Sequence, residues 1–251
     1  MLESVRTQRR IGRLAWVMAW VGLVVGQVHA LARFATADGK EDLELPLTAS
    51  WAEPAADLLR PLLGWAHPDI VYVTYGKIWF PAFVAFTLCA LVVYRRRQPT
   101  GFEKWVWRVA IASYALAALA VFLDYWTQWT GNHNGDGIEG ALFTLAWLVT
   151  VPSFLMVLVS STVLGITMLV RRFRPTLPAV LLALLIPLAL AILQFTSMGS
   201  AALPVMFAFG ILGRRIARAE STTPQRRATV DVSSRPALGR PPSSVRHSAP
   251  R

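Results

Sequence analysis

The apolar residues of this chain do not alternate with polar ones but run together. The stretches Leu14–Phe34, Ile78–Tyr94, Arg108–Trp129, Gly140–Val170 and Leu177–Gly213 are nearly uncharged. Each approaches or exceeds the roughly 20 residues that carry a helix across a hydrocarbon core of about 30 Å. The last stretch is too long for one crossing. Arg171, Arg172 and Arg174 precede it, and Arg214, Arg215 and Arg218 follow it. Two basic ends on one side require an even number of crossings, so the stretch is read as two helices joined at Ser197-Met198-Gly199-Ser200. The fold class follows: an all-α polytopic membrane bundle of about six transmembrane helices.

Two faces stand out at helical spacing. In the first span Gly22, Gly26, His29 and Arg33 share an arc of about 60°, and in the third span so do Ser113, Ala117, Ala120 and Asp124. Small residues four apart let helices approach closely in lipid. The pattern therefore predicts that spans 1 and 3 pack together and that His29 or Arg33 pairs with Asp124. In the fourth span Pro152 predicts a kink, with residues 138–151 forming either a lid or the outer part of one long helix. Pro187 and Pro204 interrupt spans 5 and 6. Such paired interruptions occur in the broken helices of transporters and also as ordinary kinks. Ser153, Ser160, Ser161, Thr162 and Gly165 suit close helix contacts.

Between spans 1 and 2 lies a long polar loop, residues 35–77. Trp51, Ala55, Leu58, Leu59, Leu62 and Leu63 recur there at helical spacing. Ser50 with Glu53 reads as a capping box, which predicts an amphipathic helix over 50–65, bent near Pro61. It either lies on the membrane surface or caps the bundle. Asp69–Tyr75 alternates aromatic and β-branched residues and reads as extended. Lys77, Trp79, Tyr125, Trp126 and Trp129 read as interfacial anchors, and so does Phe102–Trp107.

Charge adds an orientation. Lys and Arg number 25 against 14 acids, a net charge of +11. The arginines flank the apolar runs, which is a membrane pattern rather than a nucleic-acid one. It predicts both termini in the cytoplasm of a bacterial cell, with a multi-pass protein in the plasma membrane. Arginine outnumbers lysine (only Lys40, Lys77 and Lys104), as in GC-rich bacterial genomes. The segments are then a cytoplasmic N-terminus over 1–13, a membrane domain over 14–213, and a disordered basic tail over 214–251. That tail would attract anionic lipid headgroups. A cleaved signal ending at Ala30-Leu31-Ala32 is the rival reading of the first span. The length of the run and the Gly22/Gly26 face favour a retained helix.

Little reaction chemistry is legible. The one cysteine, Cys89, has no partner, and the four histidines are scattered. HExxH, G-x-S-x-G and P-loop patterns are absent, so no cofactor is expected and an enzyme is the weaker reading. Asn132, Asn134 and Asp136 resemble the start of a calcium loop, but position 143 is Phe143 where the bidentate glutamate belongs. What remains is a polar cluster near the outer helix ends: His29, Arg33, Asp124, Gln128 and Gln194. Ionisable groups at membrane depth are costly and need a purpose. One account is a structural salt bridge. The other is a site for a solute, proton or lipid headgroup in a small transporter or permease-like protein. A non-catalytic accessory or scaffold subunit with a membrane-protein partner is the alternative function.

Overall fold

The structure is a computed structural model that describes residues 4–128 and 137–219. The Asn132/Asn134/Asp136 turn and the tail beyond residue 219 lie outside the described residues. Residues 4–217 belong to one compact unit, which carries everything below. Among the described residues every regular element is helical. The helices are α1 (Val5–Phe34), α2 (Pro46–Leu58), α3 (Arg60–Leu63), α4 (Pro68–Gly76), α5 (Trp79–Arg97), α6 (Gly101–Val121), α7 (Ile138–Val170), α8 (Thr176–Ala183), α9 (Leu185–Leu193) and α10 (Leu203–Ala219). Among the described residues five spans are long and apolar enough to cross a membrane: α1, α4 with α5, α6 with the π-helical turn Phe122–Trp126, α7, and α10 with the turn before it. The pair α8 and α9, bent by 62°, makes a sixth if it counts as one span. The chain is therefore an all-α polytopic membrane bundle.

The centre of the bundle is its last helix. Of the α10 span, 78% of the apolar window is buried, against 17% for α7. Phe209 of α10 stacks on Phe86 and meets Tyr114 and Trp107 edge-on. Backbone contact seats α1 on α10: a Cβ added to Gly12 would lie 2.3 Å from the Gly213 carbonyl oxygen. Only glycine permits that approach, the close-packing device expected in lipid. Hydroxyls join α6 to α7, with Ser113 Oγ 2.8 Å from Ser160 Oγ and Tyr114 Oη 2.8 Å from Ser161 Oγ. Gly165 lies against the α8 backbone.

The basic helix ends gather at one end of the bundle. Arg96 donates to Gln8, Arg97 lies over Phe173, and Arg214 lies over Trp16. At the other end α2 caps the bundle. Thr48 and Ala52 are buried there, and the apolar side of α2 packs against Ala30, Leu31 and Phe34 of α1. Thr48 and Trp51 donate to the carbonyls of Gln194 and Phe195, at 3.0 and 2.7 Å. These are orphan acceptors past the end of α9.

Several sequence expectations change. Asp69–Tyr75 is helical, not extended. Pro68 opens α4 with φ already set, Asp69 suits its positive end, and packing on α1 overrides the β-branched preference. The external helix begins at Pro46, so Ser50 sits inside it and donates to the Leu47 carbonyl rather than capping. Phe102–Trp107 belongs to α6, and Trp107 is fully buried. Pro204 falls in the first turn of α10, where a missing N–H costs little, so only the fifth span is broken. α10 continues past Gly213 to Ala219. Residues 138–151 are not a separate lid but the outer part of one continuous α7.

Candidate functional site

The small-residue face of α1 does not meet α6. Gly22 meets Met206 of α10, and Gly26 meets the ring of Trp79. Trp79 is therefore no interfacial anchor. It is 1% exposed and lies between Gly26 and Gly199, where a Cβ on either glycine would come within 2.8 Å of the ring. Its indole Nε1–H donates to His29 Nδ1 at 3.2 Å. Indole is only a donor, so Nδ1 must be the unprotonated nitrogen and Nε2 carries the hydrogen. His29 Nε2, on a residue 1% exposed, has no partner among the described residues.

Two tyrosines complete the surroundings of His29. The Tyr72 ring stacks on it at 4.7 Å, and Tyr125 meets it edge-on at 5.3 Å. Their hydroxyls lie 3.1 Å apart. Tyr125 packs directly over Gly76, where a Cβ would lie 2.1 Å from the ring. The π-helical turn Phe122–Trp126 reorients the end of α6, leaving Tyr125 buried and Trp126 exposed. Extra-residue turns of this kind recur at functional sites.

A cavity of about 470 Å³ opens beside this group. His29, Arg33 and Asp124 all line it, together with Tyr72, Trp79 and Tyr125. The outer part of α7 supplies an opposite wall through Phe143, Trp147 and Thr150, and Leu193 and Thr196 close the side of the broken span. Three of the five cluster residues are thus brought together. Gln128 is buried with an unpartnered Nε2 but does not line the cavity, and Gln194 is exposed and contributes its backbone carbonyl to α2.

The expected ion pair takes a different form. Arg33 Nε donates to Asp42 Oδ2 at 2.9 Å, in the loop after α1. Among the described residues Asp124 has no cation within 4 Å. It interacts with Arg33 only at longer range, and with Tyr72 and Tyr125. The contrast with the opposite end of the bundle is direct. Glu103, 6% exposed, is held there by Arg97. The buried acid at that end has its counter-charge, whereas the half-buried Asp124 faces a cavity.

Comparison with known proteins finds no matching family model, no similar curated protein and no similar solved structure. The reading of the site therefore rests on its own chemistry. Three groups on the cavity wall have buried polar atoms without partners: His29 Nε2, Thr150 Oγ1 and Ser197 Oγ. Buried polar atoms are nearly always satisfied, so these three are positioned to hydrogen-bond water or a ligand in the cavity. Trp79, Tyr72 and Tyr125 escaped the sequence reading because each was assigned to a strand or an interface. Tyr72, Gly76, Trp79 and Phe83 in fact follow the 4-3-4 spacing of one helix face, a signal visible once residues 69–75 are read as helix.

Proposed function

We propose that this is a solute-binding membrane protein of the transporter or permease type, with the cavity at the outer ends of spans 1 and 3 as its binding site. One observation carries the reading: an acid in an apolar span, with no cation within 4 Å among the described residues, lines a cavity whose walls hold polar atoms unpartnered among those residues. The size of the cavity suits a small molecule, and an apolar wall with a few convergent polar groups is the usual make-up of such sites. The broken fifth span, whose far end lines the cavity through Leu193, supports transport, since discontinuous helices are a common construction of secondary transporters. We place the basic end of the bundle in the cytoplasm and the protein in a bacterial plasma membrane. In that orientation the cavity faces outward.

The exposed apolar flank of α7 favours a second reading, an accessory subunit that docks a membrane partner there. Leu148, Leu155 and Val159 are all exposed on it.

Native mass spectrometry of protein released from lipid nanodiscs tests the first reading. A bound small molecule is expected on the wild type and is expected to be lost in Ala120→Trp, which fills the cavity from a buried wall position. Equal occupancy in both proteins would reject the site.

A further inference from the structure

We infer that the cavity takes an organic ammonium ion whose apolar body lies against the aromatic wall, with Asp124 as its counter-ion. The inference rests on the cavity being a binding site and names the class of ligand. Four charged side chains line it: Arg33, Asp38, Asp42 and Asp124. Arg33 is held by Asp42, and among the described residues Asp38 and Asp124 have no cation within 4 Å. An anion would meet excess negative charge and a guanidinium already engaged. A cation would meet the opposite, a carboxylate in a poorly solvated site where opposite charges attract strongly. Tyr72, Tyr125 and Trp147 make the wall aromatic, and aromatic rings attract ammonium groups further.

The unpartnered atoms specify the rest of the ligand. His29 is fixed by Trp79 with its hydrogen on Nε2, so on that side the wall offers a donor. Ser197, 5% exposed, adds a hydroxyl free to donate or accept. The complementary molecule is an amine with an apolar body and a hydrogen-bond acceptor. Binding needs no covalent or proton-transfer step.

Three probes sharing one indole body separate the possibilities: tryptamine (cationic), tryptophol (neutral) and indole-3-acetate (anionic). Equilibrium dialysis against the full-length protein in nanodiscs should rank tryptamine at least ten-fold tighter than the other two. Asp124→Asn should reduce tryptamine to the level of tryptophol, and Asp124→Glu should keep the preference. The wild-type ranking decides the matter by itself if Asp124→Asn does not fold. Tighter binding of tryptophol or indole-3-acetate would overturn the ligand class and leave the cavity reading standing. Undiminished tryptamine binding in Asp124→Asn would remove Asp124 from the site. Binding of none of the three, with Ala120→Trp and wild type alike in native mass spectrometry, would overturn both.

Discussion

At the scale of single residues the arrangement turns on one hydrogen bond. Trp79 does for His29 what a carboxylate does for many functional histidines: it selects the tautomer and fixes the ring. The two groups lie fifty positions apart and meet only because Gly26 and Gly199 make room for the indole. Replacing Trp79 by Phe keeps most of the ring and removes the donor. His29 Nδ1 is then a buried acceptor without a partner, which costs about 1–3 kcal/mol. The melting temperature in detergent should fall accordingly, and ¹⁵N chemical shifts of the His29 ring should lose the single Nε2–H tautomer. An unchanged imidazole spectrum would mean that Trp79 does not set the tautomer. His29 and Asp124 were legible in the sequence because ionisable groups in apolar runs are conspicuous. Their aromatic neighbours were not, because tryptophan and tyrosine near a span end look the same whether they face headgroups or a cavity.

Among the elements, the fifth span departs furthest from a simple membrane helix. Pro187 lacks the N–H that would bond to Ala183, and the helix breaks at Leu184 between α8 and α9. Past the end of α9 the carbonyls of Gln194 and Phe195 are taken by Thr48 and Trp51 of α2, while α9 itself packs on α7 and on the turn that follows it. Pro187 made an interruption readable, but its partner did not come from any local pattern. Thr48 and Trp51 lie some 145 positions away, and their donors matter only because α9 ends beneath them. Likewise the small-residue faces of α1 and α6 were correctly seen as packing faces and wrongly matched. Spacing reveals that a face is small without revealing which helix fills it. Pro187→Ala should let α8 and α9 straighten. Spin labels at the exposed positions Leu177 and Leu190 should then move apart by about 3 Å, taking a rise of 1.5 Å per residue. An unchanged distance would place the cause of the bend in the α2 contacts instead.

For the whole molecule, hydropathy was enough for the class, because lipid leaves the backbone few alternatives. Of about six expected spans, five are long and apolar enough among the described residues, and the bent α8–α9 pair makes the sixth only if it counts as one. The crossing pattern can be checked from outside the cell. Ser197 and Ser200 occupy the expected turn but are buried, 5% and 0% exposed, whereas Met198 between them is 46% exposed. Met198→Cys should therefore react with a membrane-impermeant maleimide in intact cells, in a background where Cys89 is replaced. A cysteine in place of Arg214 should react only after lysis. Reaction of position 214 in intact cells would invert the orientation and turn the cavity inward. The central claim, however, is that the acid of the third span belongs to a site and not to a structural salt bridge, and thermal unfolding of Asp124→Asn tests it most directly. Among the described residues Asp124 has no cation within 4 Å, so neutralising it removes no close ion pair there. The melting temperature should stay within a degree or two of wild type or rise, while ligand binding is lost. A marked fall in melting temperature that is restored by exchanging the charges of positions 33 and 124 would contradict the account.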